Sequence, residues 1–426
     1  MEELRVTVRR GDPATVFVRG LGTAVGLEWG VWLALTVYWI VVLDLTPFRL
    51  VVVGVVLEAS VLLLETPTGV VADVYSRRRS VILGHLTMGL SFIGIFATTN
   101  FWLILPALGV FGLGWTLRSG ADTAWIADEA FKGEDDHDEL ERLLLRRNQW
   151  GIALSLIVGP LTIAVGWWQS VRVVGIALGV LYLLLAGALT LVMSEDNFSP
   201  AKERDVGITE TFRTGIGVVR SRKQLRVLAV VIFLFFLGVD VFDRLGYVHF
   251  LDSAGLQDVD QSGESLLVLG LLFFVFALVG LALNKLAERY LASGRGVARL
   301  AVLLLLVTAV GGFIAAGTSV VVVIGLGYLL QDSTREALWP VIEGWVNRDA
   351  PTEVRATVHS MMGQMTSVGQ ITGGLLLGAL ADATRIPTAM AVGAAFFLLA
   401  AGVATRGIVP PVRAVEDEKG SALDAL

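Results

Sequence analysis

From Thr66 to Val81 the chain reads TPTGVVADVYSRRRSV. A long apolar run leads up to Gly69, and another opens at Ser80. Between them stand Asp73 and three consecutive arginines, Arg77, Arg78 and Arg79. An acid and a block of cations between two greasy segments marks a point where one membrane helix leaves the bilayer and the next enters it, because Arg and Lys gather in the loops that stay on the cytosolic side.

The rest of the sequence agrees with that reading. Of 426 residues, 55% are hydrophobic and only 17% are charged, against about 25% charged in an ordinary soluble domain. So much apolar surface calls for lipid, which implies a polytopic membrane protein. With no cysteine, disulfides, thiolate metal sites and cysteine nucleophiles are excluded. The four histidines, His85, His137, His249 and His359, lie too far apart in sequence to show a metal-ligand spacing. No metal, cofactor, enzymatic chemistry or nucleic-acid partner is expected. The segment MEELRVTVRRGDPATVFVRG at 1–20 has no short apolar core with a small-residue cleavage site, so it reads as a cytosolic lead-in.

Apolar runs long enough to cross about 30 Å of hydrocarbon fall at 20–43, 48–72, 80–99, 101–125, 147–167, 171–193, 226–250, 265–287, 297–316, 319–345, 357–380 and 387–406. Twelve helices with the N-terminus inside place 26 of the 33 Lys and Arg residues on one side. Only Arg49, Arg172 and Arg385 fall in loops on the other, where DSAGLQDVDQSGE (252–264) is purely acidic. Both termini are therefore expected in the cytosol, on a multi-pass protein of the cell inner (plasma) membrane. The polar stretch 194–224 divides the chain into bundles 1–193 and 225–406, with a cytosolic tail at 407–426. Part of the stretch, 208–223, has the pattern of an amphipathic helix lying on the membrane surface.

The two halves echo each other. Span four ends in LRSGADTAWIADEA and span ten in STREALWPVIEGWVNRDA, each with an Arg, then an acid, a Trp and a polar exit. Span two ends in GVVADVYSRRR and span eight in GLALNKLAERY. Repeated bundles are expected where two halves rock about a central site.

Charges within spans carry a high insertion cost and mark function. Glu28 on span one and Glu58 and Glu65 on span two have no basic neighbour on their own helices. Asp240 and Asp332 lie on spans seven and ten. Desolvation favours a neutral carboxyl, so these five acids are the expected proton sites, and Glu28 and Glu65 would share a proton if they faced each other. Arg118 and Asp122, Asp240 with Asp243 and Arg244, and Asp332 with Arg335 and Glu336 stand at helical i, i+3 or i, i+4 spacing. Each set is open to two readings, an internally neutralised helix or a group of cavity and gating charges. Trp29, Trp32, Tyr38, Trp115 and Phe236 are aromatic candidates for the substrate. The glycine-rich runs 84–94, 109–114 and 369–378 suit close helix packing. None is followed by Lys-Ser or Lys-Thr, so ATP does not power the chain directly.

The opening stretch resembles the signature of the major facilitator superfamily, which runs Gly, three residues, Asp, Arg, one residue, Gly, then two basic residues. Gly69, Asp73, Arg77 and Arg78 stand in register with it, while Val74 and Ser76 replace the usual Arg and Gly. ETPTGVVAD (65–73), SGADTAWIADE (119–129), Gly159-Pro160 and the run 354–382 look like the drug:proton antiporter branch, in particular macrolide-efflux-like members. The resemblance implies an all-α membrane protein of two pseudo-symmetric six-helix bundles that exports amphipathic or hydrophobic small molecules in exchange for protons. It further implies that Gly69, Asp73, Arg77 and Arg78 form a cytosolic gate: Gly69 admits a close neighbour and Asp73 faces the start of an adjacent helix. The expected partners are a small-molecule substrate, protons and the bilayer, around a monomeric chain. A proton symporter or uniporter importing a nutrient keeps the fold and reverses the job. A non-transporting membrane sensor or a lipid scramblase is the alternative of another class.

Overall fold

Short polar punctuation sets the helices. In the computed structural model, which describes residues 11–131, 137–198, 216–217, 219–292, 296–350 and 355–408, the polar residue ahead of a helix repeatedly caps it. Asp12, Thr46, Ser76, Asn100 and Ser170 each accept a hydrogen bond from a backbone N–H in the following first turn, which satisfies one of the free donors at a helix start. Residues 1–10, most of the expected surface helix over 208–223 and the tail beyond 408 lie outside the described residues.

The helices are α1 (Pro13–Val42), α2 (Pro47–Val74), α3 (Arg77–Ala97), α4 (Phe101–Ala130), α5 (His137–Trp168) and α6 (Val171–Val192) in the first half. The second half has α7 (Lys223–Ala254), α8 (Ser262–Ala292), α9 (Val297–Ala316), α10 (Val321–Asp349), α11 (Arg355–Ala383) and α12 (Ile386–Ala404). Each of the twelve expected spans maps onto one of them, and where a span overruns its helix it does so by no more than about two residues. Among the described residues, ten segments are both long enough and apolar enough to cross a membrane. The remaining two are α10, which carries Asp332, Arg335, Glu336 and Glu343, and α11, rich in Gly, Ser, Thr and Gln. On α10 Gln331, Asp332, Ser333 and Thr334 are buried inside the protein, and on α11 so is Ser367.

Packing repeats with an offset of six helices. In the first half α3 packs on α4 and α6, α1 on α5, and α2 on α4. In the second, α9 packs on α10 and α12, α7 on α11, and α8 on α10. The contacts between halves, α2 with α11 and α5 with α8, exchange under the same offset. The sequence echo between spans four and ten and between spans two and eight therefore belongs to a structural repeat. Glycine pairs bring backbones together in both halves. A Cβ at Gly84 would meet Gly114 O at 2.8 Å, and one at Gly311 would meet Gly327 O at 2.7 Å.

Both described ends of the chain reach the Arg-rich end of the bundles. Gly11 N donates to Val192 O (3.0 Å) where α6 stops, and Gln224 Nε2 donates to Gly407 O (3.5 Å) where α7 starts. The halves meet toward the opposite, Arg-poor end. There Phe48 N donates to Asp382 Oδ1 (3.1 Å), and Gly263 and Gly166 abut Trp167 and Leu266 across the α5–α8 seam. At the Arg-rich end, Gly69 of α2, Gly344 of α10 and Gly363 of α11 have open space where a Cβ would sit.

Candidate functional site

A cavity of about 540 Å³ lies between the halves. Its two walls differ in chemistry. The first-half wall is built mainly by α1 and α2: Trp29, Trp32, Trp39, Leu50 and Leu57 line it, with Glu58 the one charged group on that side. The second-half wall carries Asp240, Asp243 and Arg244 from α7 and Asp332, Arg335 and Glu336 from α10. Tyr247, Phe273 and Phe276 lie beside these charges.

The charges of the second half are tied together. Arg335 Nη1 donates to both oxygens of Asp243 (2.7 Å each), and its Nη2 donates to Asp332 Oδ1 (2.7 Å). Glu336 stands 3.7 Å from the same guanidinium. Arg244 Nε donates to Asp240 Oδ1 (2.8 Å), whereas Asp240 Oδ2 is buried without a hydrogen-bond partner. Such bonds are strong because both partners are ionised, and more so at Asp240 and Asp332, which are the most shielded from water. Asp243 and Arg244 lie within a π-helical turn, Val241–Gly246, on the same wall as Asp240. The carbonyl of Phe242, inside that turn, accepts the Tyr328 hydroxyl.

Glu58 reaches the cavity from the other half. Ser367 Oγ of α11 donates to its Oε2 at 3.4 Å. One turn earlier on α2, Gly54 packs against the Arg244 guanidinium, where a Cβ would collide. Glu65 continues the face of Glu58 two turns on, exposed and toward the open end, and is not part of the cavity wall.

The first half holds a second set of charges behind the wall. Arg118 and Asp122, spaced for a one-turn pair, do not make it. The helix stops at Arg118, Gly120 takes φ +75°, and a new segment starts at Ala121, so the i, i+4 geometry is lost. Arg118 instead pairs with Glu28 of α1 and lies over the Trp115 ring at 4.9 Å. Glu28 lacks a basic neighbour on its own helix, as the sequence shows, but finds one across the bundle. Its contact is therefore Arg118, not the shared proton with Glu65. Asp122 accepts from Arg147 Nη1 of α5 at 2.5 Å.

At the Arg-rich end, Arg77 donates to Asp128 Oδ2 (2.5 Å), to Ala124 O (3.0 Å) and to Asp73 Oδ1 (3.2 Å). It thereby ties α3 to α4. Arg78 donates to Met193 O and Thr190 O at the end of α6, where carbonyls are left free. Two expectations fail here. Asp73 is half exposed and meets Arg77 rather than a helix start. Glu195 takes that place, accepting from Arg78 N (3.0 Å) and Ser76 Oγ (2.6 Å). Gly69 has no neighbour within 4 Å of its Cβ position, because the halves stand apart at this end.

Among the aromatic candidates, Trp29 and Trp32 line the cavity. Tyr38 is buried with its hydroxyl on Thr98 O, Trp115 lies under Arg118, and Phe236 packs on Trp339. Sequence reasoning missed Tyr247, Phe273 and Phe276. They sit among many apolar residues on their helices, and only the tertiary arrangement singles them out.

No family model matches the chain, and no curated protein matches it significantly by sequence. Solved structures do match. The nucleoside transporter NupG superposes with a TM-score of 0.70 at 15% identity, covering 92% of this chain and 98% of that one. A bacterial homologue of the human lysosomal transporter Spinster, in an inward-facing and unoccupied conformation, gives 0.69 at 16% identity over 94% and 99%. A POT family transporter in complex with a thioalcohol-conjugated peptide gives 0.70 at 10% identity over 92% and 94%. The chain has the major facilitator fold. At these identities the likeness speaks for the fold and leaves the ligand to be argued from the cavity.

Proposed function

We propose that the chain is a secondary active transporter that moves an amphipathic small molecule against protons by alternating access. The observation that carries this reading is the cavity itself. It lies between two bundles related by an offset of six helices, closed toward one end and open toward the other. Rocking such bundles about their shared seam exposes one site to each face in turn. Assigning the Arg-rich end to the cytosol of an inner membrane makes the conformation inward-facing, the state named for the Spinster homologue. Glu58, Asp240 and Asp332 line the cavity and are the proton sites of this reading, with Arg244 and Arg335 as the cations that hold them. Drug-like compounds are the substrates we favour, for the tryptophan wall suits a bulky apolar body, and export is the direction that the sequence resemblance implies.

The test is reconstitution of the full chain in proteoliposomes with an imposed pH gradient and a compound library. Accumulation that collapses with an uncoupler, and that Glu58→Gln and Asp240→Asn strip of its pH-driven part, is the expected result. Transport that stays fully coupled in both variants would overturn the proton sites, and the absence of any gradient-driven flux would overturn the transport reading. The fold likeness to a nucleoside transporter favours import of a small nutrient as the second reading. In cells, an uncoupler raises the internal level of an exported compound and lowers that of an imported one.

A further inference from the structure

We propose that the second half carries a binding site for one anionic phospholipid, in an outward-opening groove between α8 and α9 whose Arg-rich end holds the headgroup. The site is separate from the central cavity and does not rest on the transport reading.

The groove follows from how three helices pack. α8 and α9 each pack on α10, yet they touch each other little although they are consecutive in the chain. The gap between them is an apolar hollow of about 760 Å³ with α10 as its floor. Leu286 and Tyr290 of α8, Leu303 and Val307 of α9, and Leu326 and Leu330 of α10 line it. Leu286, Leu303 and Leu326 are 56%, 49% and 59% exposed, so the hollow opens away from the bundle. On α9 the lining runs from Leu300 to Ile314. That is about 21 Å of helix, more than one leaflet of a hydrocarbon core about 30 Å thick. An extended acyl chain entering from the Arg-rich side fits such a track.

The chemistry of the lining calls for hydrocarbon. Tyr290 and Thr334 are the polar side chains among the described lining residues. The Thr334 hydroxyl is already engaged, with Leu330 O at 2.6 Å and Thr308 Oγ1 at 2.8 Å. A polar guest placed deep in the groove would lose its water without replacement. Tyr290 stands at the Arg-rich end, where a tyrosine suits the headgroup boundary. The groove and the central cavity share two helices: Val279 and Thr334 line the one, Phe276 and Arg335 the other. An occupied groove therefore backs on the charged wall.

Charge fixes the head. Lys285 and Arg289 stand near the end of α8 and Arg299 near the start of α9, all three exposed and none in an ion pair among the described residues. Arg289 follows Leu286 by three residues and Arg299 precedes Leu303 by four, so each lies one helical turn from a lining leucine. Between 281 and 304 the described residues hold these three cations against one acid, Glu288, a surplus of two. The echo in the first half is spent differently. In GVVADVYSRRR, Arg77 is held by Asp128 and Asp73, and Arg78 by carbonyls at the end of α6. In GLALNKLAERY, Asn284 stands where the first segment has Asp73, and the cations stay free for a phosphate. Basic residues between membrane helices on the cytosolic side recruit anionic headgroups.

The experiment strips the purified full-length protein of lipid in detergent. It then titrates the protein with phosphatidylglycerol or phosphatidylcholine of identical acyl chains and counts bound lipid by native mass spectrometry. One phosphatidylglycerol should be retained, about tenfold or more tightly than phosphatidylcholine. Arg289→Gln combined with Arg299→Gln should bring its retention down to the phosphatidylcholine level. Leu303→Trp should fill the groove and remove tight retention of either lipid while the thermal melt stays unchanged. Leu286→Trp repeats that test from the opposite wall should the first variant fail to fold. Leu184→Trp, at an exposed apolar position on α6, should leave retention as it is. Equal retention of the two lipids, or retention that survives both groove-filling variants, overturns the inference. Dimers that Leu303→Trp abolishes, in place of lipid adducts, would give the groove to a second copy of the chain and overturn it as well.

Discussion

The two halves use one tie in two ways. In each, an arginine on the fourth helix of the bundle crosses to an acid on its first helix: Arg118 reaches Glu28, and Arg335 reaches Asp243. In the first half the accounts then balance. Arg118 has Glu28, Arg147 has Asp122, and neither pair is part of the cavity wall. In the second half Arg335 is shared by Asp243, Asp332 and Glu336, and all of them face the cavity. A neutral pair away from the cavity can be a structural lock, because each charge is answered by its own partner. An arginine that answers to several acids, beside space a ligand can enter, is poised to respond to protons and guests.

The largest effect that would sharpen this contrast is expected from Arg335→Met. It leaves Asp243 and Asp332 without their cation, and breaking a buried pair from one side costs about 3–5 kcal/mol. Transport should be lost and the thermal unfolding midpoint in detergent should drop. The counterpart in the first half removes both partners, Arg118→Met with Glu28→Leu. Apolar replacement of a whole buried pair is close to neutral, so this protein should fold and still transport. A folded double variant without transport would break the comparison.

Gly54→Ala comes next. The new methyl must push the Arg244 guanidinium, itself held by Asp240, and overpacking of this kind costs about 1–3 kcal/mol. Thermal melts and gradient-driven transport should both decline. Gly69→Leu separates state from cycle. The position is open in this conformation, so stability should stay within about 0.5 kcal/mol. Closure of the Arg-rich end brings the halves together there, so turnover should fall about tenfold, a barrier increase of about 1.4 kcal/mol. Turnover equal to wild type would show that closure does not reach Gly69. Ser76→Ala should be the mildest, removing the cap of α3 at a cost of about 1 kcal/mol, visible in melts and absent from gradient-driven transport.

Much of the architecture could be read from order alone. Apolar length, loop arginines and the echo of span four in span ten lead to twelve helices in two bundles, because lipid imposes those regularities on any such chain. The charge pairs were half legible. Asp240 with Arg244 and Asp332 with Arg335 lie on continuous helical turns and meet as spaced. Arg118 and Asp122 have the same spacing but straddle Gly120, whose positive φ turns the chain. A Ser-Gly pair at 119–120 was the available signal for that break. Glu195 falls at the start of the polar stretch 194–224, yet it is the acid that receives the start of α3. Its partners are more than a hundred residues away in sequence, and local pattern carries no trace of them.

The widened turn at Val241–Gly246 holds one residue more than an α-helical path needs. Letting that residue slip along α7 would spin the intervening segment by about 100°, carrying Asp243 and Arg244 around the axis without any kink. The grip of Arg335 on Asp243 and that of Arg244 on Asp240 both belong to the present register, so one slip would undo them together. A slip of that kind would deal charges into the central chamber, or withdraw them, by twist alone.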